Sequence, residues 1–137
     1  MLAFRLVRDG ERLIPEKVWE NSEASFYMST PVLFGDMLFG LSHKNKGQFV
    51  CLDANTGRKL WSSEGRQGEN AALVIGGDRL FLLTNDSELI VAKAGGQGFE
   101  IVRRYPVADS PTWAHPVMVG KGILIKDAEK LTFWSLE

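Results

Sequence analysis

The sequence predicts an all-β fold made of antiparallel four-stranded β-propeller blades, with about three blades in the chain. The main observation is an internal repeat of about 42 residues, in which a segment that starts at Gly35 returns at Gly77 and, more loosely, at Gly120. Apolar and polar residues also alternate along the chain, and no long helical period interrupts them. A repeat of roughly 40–50 residues built from short strands is typical of propeller blades.

The chain begins with a predicted strand pair over 2–19. Residues 2–7 alternate as a strand, Asp9 and Gly10 form a hairpin turn signal, and residues 12–19 form a second strand. Pro15 cannot donate a hydrogen bond to a neighbouring strand. We therefore expect the second strand at the edge of a sheet.

The rest of the chain divides into a blade over 25–64, a blade over 70–107 and an incomplete blade over 113–136. Short apolar segments separated by Gly, Asp and Asn turn residues support this division. In the first blade the predicted strands are 31–34, 37–41, 48–53 and 58–62. In the second blade they are 72–75, 79–83, 88–92 and 99–107. In the third blade, where a fourth strand is missing, they are 116–119, 123–126 and 130–136.

Three blades are fewer than the 4–8 that typically close a propeller, so this arrangement leaves apolar faces and strand edges uncovered. The N-terminal strand pair could complete the C-terminal triplet. Two larger arrangements remain open. Two copies could close into one ring of about six blades, each N-terminal strand completing the partner's last blade, or the chain could be the C-terminal portion of a larger propeller. We favour the homodimer, because uncovered faces promote aggregation.

One sharp motif accompanies the repeat. Asp53, Thr56, Gly57 and Trp61 follow the spacing Asp-x-x-Thr-Gly-x-x-x-Trp. The Asp and Thr side chains suit the amides of a turn, and Gly57 permits a positive φ. We expect Trp61 to project between adjacent blades. Trp19 lies 42 residues before Trp61, so the first partial repeat keeps this tryptophan.

This motif resembles the repeat signature of the pyrroloquinoline quinone (PQQ)-type β-propellers. The family pattern usually opens with Ala, and Cys51 stands in that place. In the second copy the Asp position falls on Lys93 and the Trp position falls near Arg104. The resemblance implies a propeller fold. The family includes quinoprotein alcohol dehydrogenases and a non-enzymatic propeller lipoprotein of the outer-membrane assembly machinery.

Because the family includes both enzymes and a non-enzymatic protein, the resemblance does not by itself decide whether this chain is an enzyme. The family's dehydrogenases hold PQQ in a closed eight-bladed ring, with calcium, a catalytic Asp and adjacent cysteines. Cys51 is the only cysteine, and three blades cannot encircle the cofactor. We therefore expect no enzyme, with no catalytic residue, no metal and no cofactor, but a scaffold that binds a protein or another ligand. The alternatives are a remnant or subunit of a PQQ-dependent dehydrogenase, and a truncated paralogue with no retained role.

A ligand site is predicted at the top face, where the chain reaches the innermost strand of each blade. Asn70, Trp113 and His115 precede such strands, and Asp109 lies close by in sequence. An aromatic ring, an imidazole and a carboxylate together suit a small polar ligand or a peptide. The structural alternative is that Trp113 packs between blades and His115 bonds a backbone carbonyl.

The amino-acid composition and net charge limit the classes of partner to be expected. Charged residues make up 24% of the chain and the formal net charge is -1, which gives no electrostatic reason to expect nucleic acid or an anionic membrane. We expect self-association or a protein or peptide partner. The N-terminus lacks the apolar stretch of a signal peptide, although the resembled family is often periplasmic or extracellular, so the compartment stays open.

Overall fold

The structure is a computed structural model that describes residues 1–26 and 28–136. Its described residues form thirteen β-strands and one short 3-10 helix, Lys44–Lys46. The N-terminal hairpin contains β1 (Leu2–Asp9) and β2 (Arg12–Glu20). The first blade contains β3 (Val32–Phe34), β4 (Met37–Ser42), β5 (Gln48–Asp53) and β6 (Lys59–Ser62). The second blade contains β7 (Ala71–Gly76), β8 (Arg79–Thr84), β9 (Glu88–Lys93) and β10 (Ile101–Pro106). The third blade contains β11 (Val117–Val119), β12 (Gly122–Lys126) and β13 (Leu131–Ser135).

These strands pair as sequential antiparallel meanders. The first and second blades are four-stranded sheets, the third blade is a three-stranded sheet, and the hairpin is a two-stranded sheet. The all-β prediction with four-stranded blades is confirmed. The innermost strands lie side by side, since β7 contacts both β3 and β11. No helix in the described ranges is long and apolar enough to cross a membrane.

The N-terminal hairpin departs from the prediction in its turn. Asp9 pairs with Arg12, so the turn residues are Gly10 and Glu11 rather than Asp9 and Gly10. A two-residue connection places the glycine first, where its φ is +61°. In the described chain β2 pairs with β1 alone, which is the edge position that Pro15 requires.

The hairpin does not complete the third blade within the chain, because the two form separate sheets. The hairpin is instead attached to the first blade. The indole N–H of Trp19 donates to the carbonyl of Ala54 at 2.8 Å, and the side-chain amide of Asn21 donates to the carbonyl of Gly57 at 2.6 Å. These two bonds fix the hairpin against the turn between β5 and β6.

Each blade packs one apolar face on the next blade. Between the first and second blades the core contains ten buried residues: Phe39, Leu41, Phe49, Cys51, Ala71, Leu73, Leu80, Leu82, Ile90 and Ala92. Between the second and third blades the core is smaller: Phe81, Leu83, Leu89, Val107, Ile123 and Ile125. Burial at these two interfaces is the main source of stability.

Cys51 lies in the larger core, between the first and second blades. The thiol is fully buried, and desolvation together with the charge of Asp53 raises its pKa from 9.0 to about 12. A thiol in this environment behaves as a small apolar side chain rather than a nucleophile.

Trp61 joins the first blade to the second. Its indole N–H donates to the carbonyl of Gly95, in the turn region after β9, at 2.8 Å. Its ring lies 5.9 Å from that of Phe39 and 5.6 Å from that of Phe99. One side chain therefore contributes apolar area, aromatic contacts and a hydrogen bond to the same interface.

Trp19 makes the equivalent contact one repeat earlier, between the hairpin and the first blade. Gly57 leaves the space that the Trp19 ring occupies. Gly57 has φ +72°, and a Cβ atom at this position would lie 2.4 Å from Cε3 of Trp19. Two independent constraints thus require glycine here: the left-handed backbone and the ring that lies on it. Gly57 of the motif therefore belongs to the docking surface for the preceding tryptophan.

Trp61→Ala should destabilise the protein by about 3 kcal/mol, at the lower end of the range for a buried tryptophan truncated to alanine. The loss includes the hydrogen bond to Gly95 and the contacts with Phe39 and Phe99. Equilibrium unfolding in urea measures the change. Trp113→Ala is the matched control, because Trp113 is 63% exposed and its truncation should cost less than about 0.5 kcal/mol. Equal effects of the two substitutions would contradict a special role for Trp61.

Candidate functional site

The candidate site is a cavity of about 180 Å³ at the top face, where the chain leads into the innermost strands. All three blades contribute to it, since its walls come from the segments just before β3, β7 and β11. The residues that define it are Met28, Thr30, Asn70, Thr112, Trp113 and His115.

The floor of the cavity is held by hydrogen bonds between blades. The hydroxyl of Ser29 donates to the carbonyl of Ala71 at 2.9 Å, which ties the first blade to the second. The hydroxyl of Thr112 donates to the carbonyl of Thr84 at 2.6 Å, which ties the second to the third. Both hydroxyls are buried. The cavity therefore has a rigid base, as a binding site requires.

Asn70 is fixed through its backbone. Its N–H donates to the side-chain oxygen of Asn85 at 2.9 Å, and its carbonyl accepts from the N–H of Asn85 at 3.0 Å. This pair closes the loop between β8 and β9 against the start of β7. The side chain of Asn70 is thereby placed at the cavity wall.

The rim carries two large exposed side chains. Trp113 is 63% exposed and Met28 is 74% exposed. The backbone of Met28 has φ +51°, a left-handed conformation that is uncommon outside glycine and that costs free energy. Because its ring is this exposed, Trp113 does not pack between blades, which was the structural alternative from sequence.

His115 also lines the cavity, but one of its ring nitrogens is used locally. Nδ1 lies 3.0 Å from the carbonyl oxygen of Pro116. This is the backbone contact that the structural alternative foresaw. It fixes the ring while the residue stays on the surface, so the other nitrogen is the one that can face a ligand.

Asp109 lies apart from the cavity. Its carboxylate is 93% exposed and makes an ion pair with Lys130 at 3.4 Å. The structure therefore brings together Asn70, Trp113 and His115, while Asp109 belongs to the loop surface beside the start of β13. The cavity is therefore lined by an indole ring, an imidazole and an amide, and the carboxylate that the sequence predicted is not among its lining groups.

The size of the cavity limits what it can hold. Ligand pockets usually have volumes of about 300–1,000 Å³, and this one has about 180 Å³. A single side chain fits such a space. Apart from the imidazole of His115, the residues that define it carry no ionisable side chain, so shape and aromatic contact are its main features.

The Asp53 turn is structural in its geometry. The carboxylate accepts hydrogen bonds from the backbone N–H groups of Thr56 and Asn55, each at 2.9 Å. The bond from Thr56, then that from Asn55 and the charge of Arg58, lower the pKa of Asp53. The hydroxyl of Thr56 accepts from the N–H of Arg58 at 3.3 Å. These bonds shape the turn that receives Trp19.

Sequence reasoning missed one feature, an apolar groove between the outer parts of the second and third blades. Tyr105, Val107 and Trp134 line it, among others. The signal was present in the register: Trp61 pairs with Cys51 in the first blade, and Arg103 pairs with Val91 in the second. A blade with arginine at the docking position leaves that interface without its large ring.

Comparisons with known proteins show the fold. No family model matches the chain, and no curated protein matches it. Among solved structures, BamB from Moraxella catarrhalis is similar over 88% of this chain, with a TM-score of 0.64 and 18% identity. A europium-containing methanol dehydrogenase is similar over 77%, with a TM-score of 0.57 and 14% identity. A chain of the mitotic checkpoint complex is similar over 74%, with a TM-score of 0.61 and 14% identity.

These neighbours are much longer than the region of likeness. The chain spans 37% of the BamB chain, 22% of the methanol dehydrogenase chain and 33% of the checkpoint-complex chain. BamB and methanol dehydrogenase are PQQ-type β-propeller proteins. The likeness supports the propeller-like architecture, and at these identities it carries no residue of a neighbour's site over to this chain.

Proposed function

We propose that the chain is a non-catalytic β-propeller scaffold that binds a protein partner through the top-face cavity. The single observation that carries the proposal is the exposed Trp113 ring beside a small cavity with a hydrogen-bonded base. Exposed tryptophans next to a pocket are typical of the residues that dominate protein interfaces. Met28 adds a flexible apolar side chain of the kind found on adaptable binding surfaces.

Protein binding accounts for the geometry better than binding of a large cofactor. A cavity of about 180 Å³ accepts one side chain from a partner, and the exposed rim supplies the rest of the contact area. One of the structural neighbours is a chain of a mitotic checkpoint complex, so a propeller-like chain of this kind does take part in a protein assembly. The methanol dehydrogenase neighbour shares the fold at 14% identity.

We further propose that the chain self-associates through the two ends of its blade stack. The outer face of the hairpin exposes Leu2, Phe4, Leu6 and Leu13. The outer face of the third blade exposes Val117, Val119, Leu131 and Phe133. Apolar patches of this kind mark association surfaces. Because one end differs from the other, the contact is head-to-tail and either closes into a ring or extends into a chain.

Trp113→Ala should weaken partner binding at least about tenfold, because interface tryptophans cost upwards of 2 kcal/mol when truncated. The probe is a phage-displayed random peptide library selected on the unaltered protein, followed by titration of the selected peptides. Asp109→Ala is the control, since Asp109 is exposed and lies away from the cavity. Failure to enrich peptides, or equal affinity for the Trp113→Ala variant, would count against the top-face site.

Self-association predicts a molar mass above the 15.3 kDa of one chain in light scattering coupled to size exclusion. A dimer has about twice that mass. Phe4→Glu should shift the protein toward the monomer, because it places a charge on the apolar face of the hairpin. Arg5→Glu is the matched control, since it also adds a carboxylate at an exposed position of β1 but lies on the opposite face of the strand from Phe4. A monomer at every concentration would contradict this part of the proposal.

A further inference from the structure

We propose that the top-face cavity binds a cationic side chain of the partner, the head group of a lysine or an arginine. The inference rests on the proposed scaffold function and names the chemical group that the cavity recognises. Three features of the cavity support it: an open indole ring, hydrogen-bond acceptors in the wall, and an unpaired carboxylate beside the rim.

The ring of Trp113 is the part of the cavity that attracts a cation. Trp113 lines the cavity and is largely exposed, so most of its surface is open to a partner. Among aromatic side chains tryptophan attracts cations best, through the negative face of its ring. Met28 adds a polarisable thioether to the same lining. A cationic head group can therefore be held at the ring while its carbon stem contacts the apolar atoms of the lining.

The hydrogen bond of His115 determines which of its ring nitrogens carries a proton. Nδ1 lies 3.0 Å from the carbonyl oxygen of Pro116. A carbonyl oxygen can only accept a hydrogen bond, so Nδ1 is the donor in this contact. In the neutral imidazole a proton on Nδ1 leaves Nε2 with a lone pair. Nε2 is therefore an acceptor and suits an N–H group of a partner.

Other polar groups of the wall also have acceptor capacity left. The hydroxyl of Thr112 uses its proton in the bond to the carbonyl of Thr84, so its remaining capacity is that of an acceptor. The side-chain amide of Asn70 has no hydrogen-bond partner among residues 1–26 and 28–136, and its oxygen is a further acceptor. The head groups of lysine and arginine carry donors only. The wall therefore matches a cation better than it matches a carboxylate.

The charges beside the cavity have the sign that a cation requires. Within three positions along the chain of any lining residue, the side chains that are charged at neutral pH are Glu69 and Asp109. Asp109 is paired with Lys130, whereas Glu69 is exposed and makes no ion pair with the part of the chain that the structure describes. The basic residues Lys46 and Arg66 line another cavity, which shares no residue with this one. An unpaired carboxylate beside the rim attracts a cation and disfavours an anion.

The probe is N-acetyl-lysine methylamide, titrated into the isotopically labelled full chain. Binding is followed by nuclear magnetic resonance at the backbone amides of Ala71 and Ala72, which line the cavity. N-acetyl-norleucine methylamide is the matched ligand, because it keeps the four-carbon stem without the ammonium, and N-acetyl-arginine methylamide supplies the guanidinium. We expect saturable shifts, with the tighter-binding cation at least about threefold tighter than the norleucine derivative, because only the cations interact electrostatically with the indole ring.

Two substitutions test the ring and the carboxylate separately. Trp113→Leu keeps an apolar side chain but removes the aromatic ring, so it should weaken the cation at least about threefold and the norleucine derivative less. Trp113→Phe, which keeps a ring, is its matched control. Glu69→Gln should weaken the cation about twofold, whereas Glu64→Gln, which alters an exposed glutamate of the other cavity, should leave it unchanged. Equal affinity for the cations and the norleucine derivative, or no saturable shift with either cation, would overturn the proposal.

The result can be separated from that of the proposed function. If the peptide library enriches peptides that bind without a basic residue and neither cation binds, the top-face protein site stands and the cationic assignment is overturned. If a cation binds as expected and no peptide is enriched, the cation-binding cavity is supported and the protein-binding function of the top face is not.

Discussion

The structure depends on how one blade is attached to the next. At two successive interfaces a tryptophan on the outer strand, Trp19 and then Trp61, donates its indole N–H to a backbone carbonyl in the turn region of the following blade, each time at 2.8 Å. The apolar faces of adjacent blades pack around this hydrogen bond. Between the first and second blades they form the largest buried cluster of the described residues. The third interface has Arg103 at the corresponding register position, so it lacks an indole hydrogen bond and joins the last blade through a smaller apolar core and the hydrogen bond from Thr112 to Thr84.

The difference between the blade interfaces bears on where the chain could bind a partner. In a stack whose units contact only their neighbours, stability is set interface by interface. The first two blades share the larger core, and the last blade joins the second through a smaller core beside an apolar groove. The top-face cavity draws on all three blades, but its hydrogen bonds through Ser29 and Thr112 bridge both interfaces. The proposed top-face surface thus lies where the inner strands of the blades begin.

Much of the fold could be read from the sequence, because its signals are local. Turn glycines with positive φ, such as Gly35 and Gly77, mark hairpins, and alternation marks the strands between them. The motif residues indicated the Asp53 turn, and alignment of the repeats placed Asn70, Trp113 and His115 together. The separation of Asp109 and the contact of Trp19 with Gly57 could not be read in this way. They depend on loop paths and on packing between sheets, which a single sequence does not encode locally.

Native-state hydrogen exchange, followed strand by strand, tests the central claim most directly. If indole docking holds the blades, amides of β5 and β8 should exchange only through global unfolding, while amides of β12 should exchange through a separate opening of lower free energy. Trp61→Ala should lower the protection of β5 and β8 toward that of β12. Equal protection across all three blades, or the greatest protection in the third, would contradict the account.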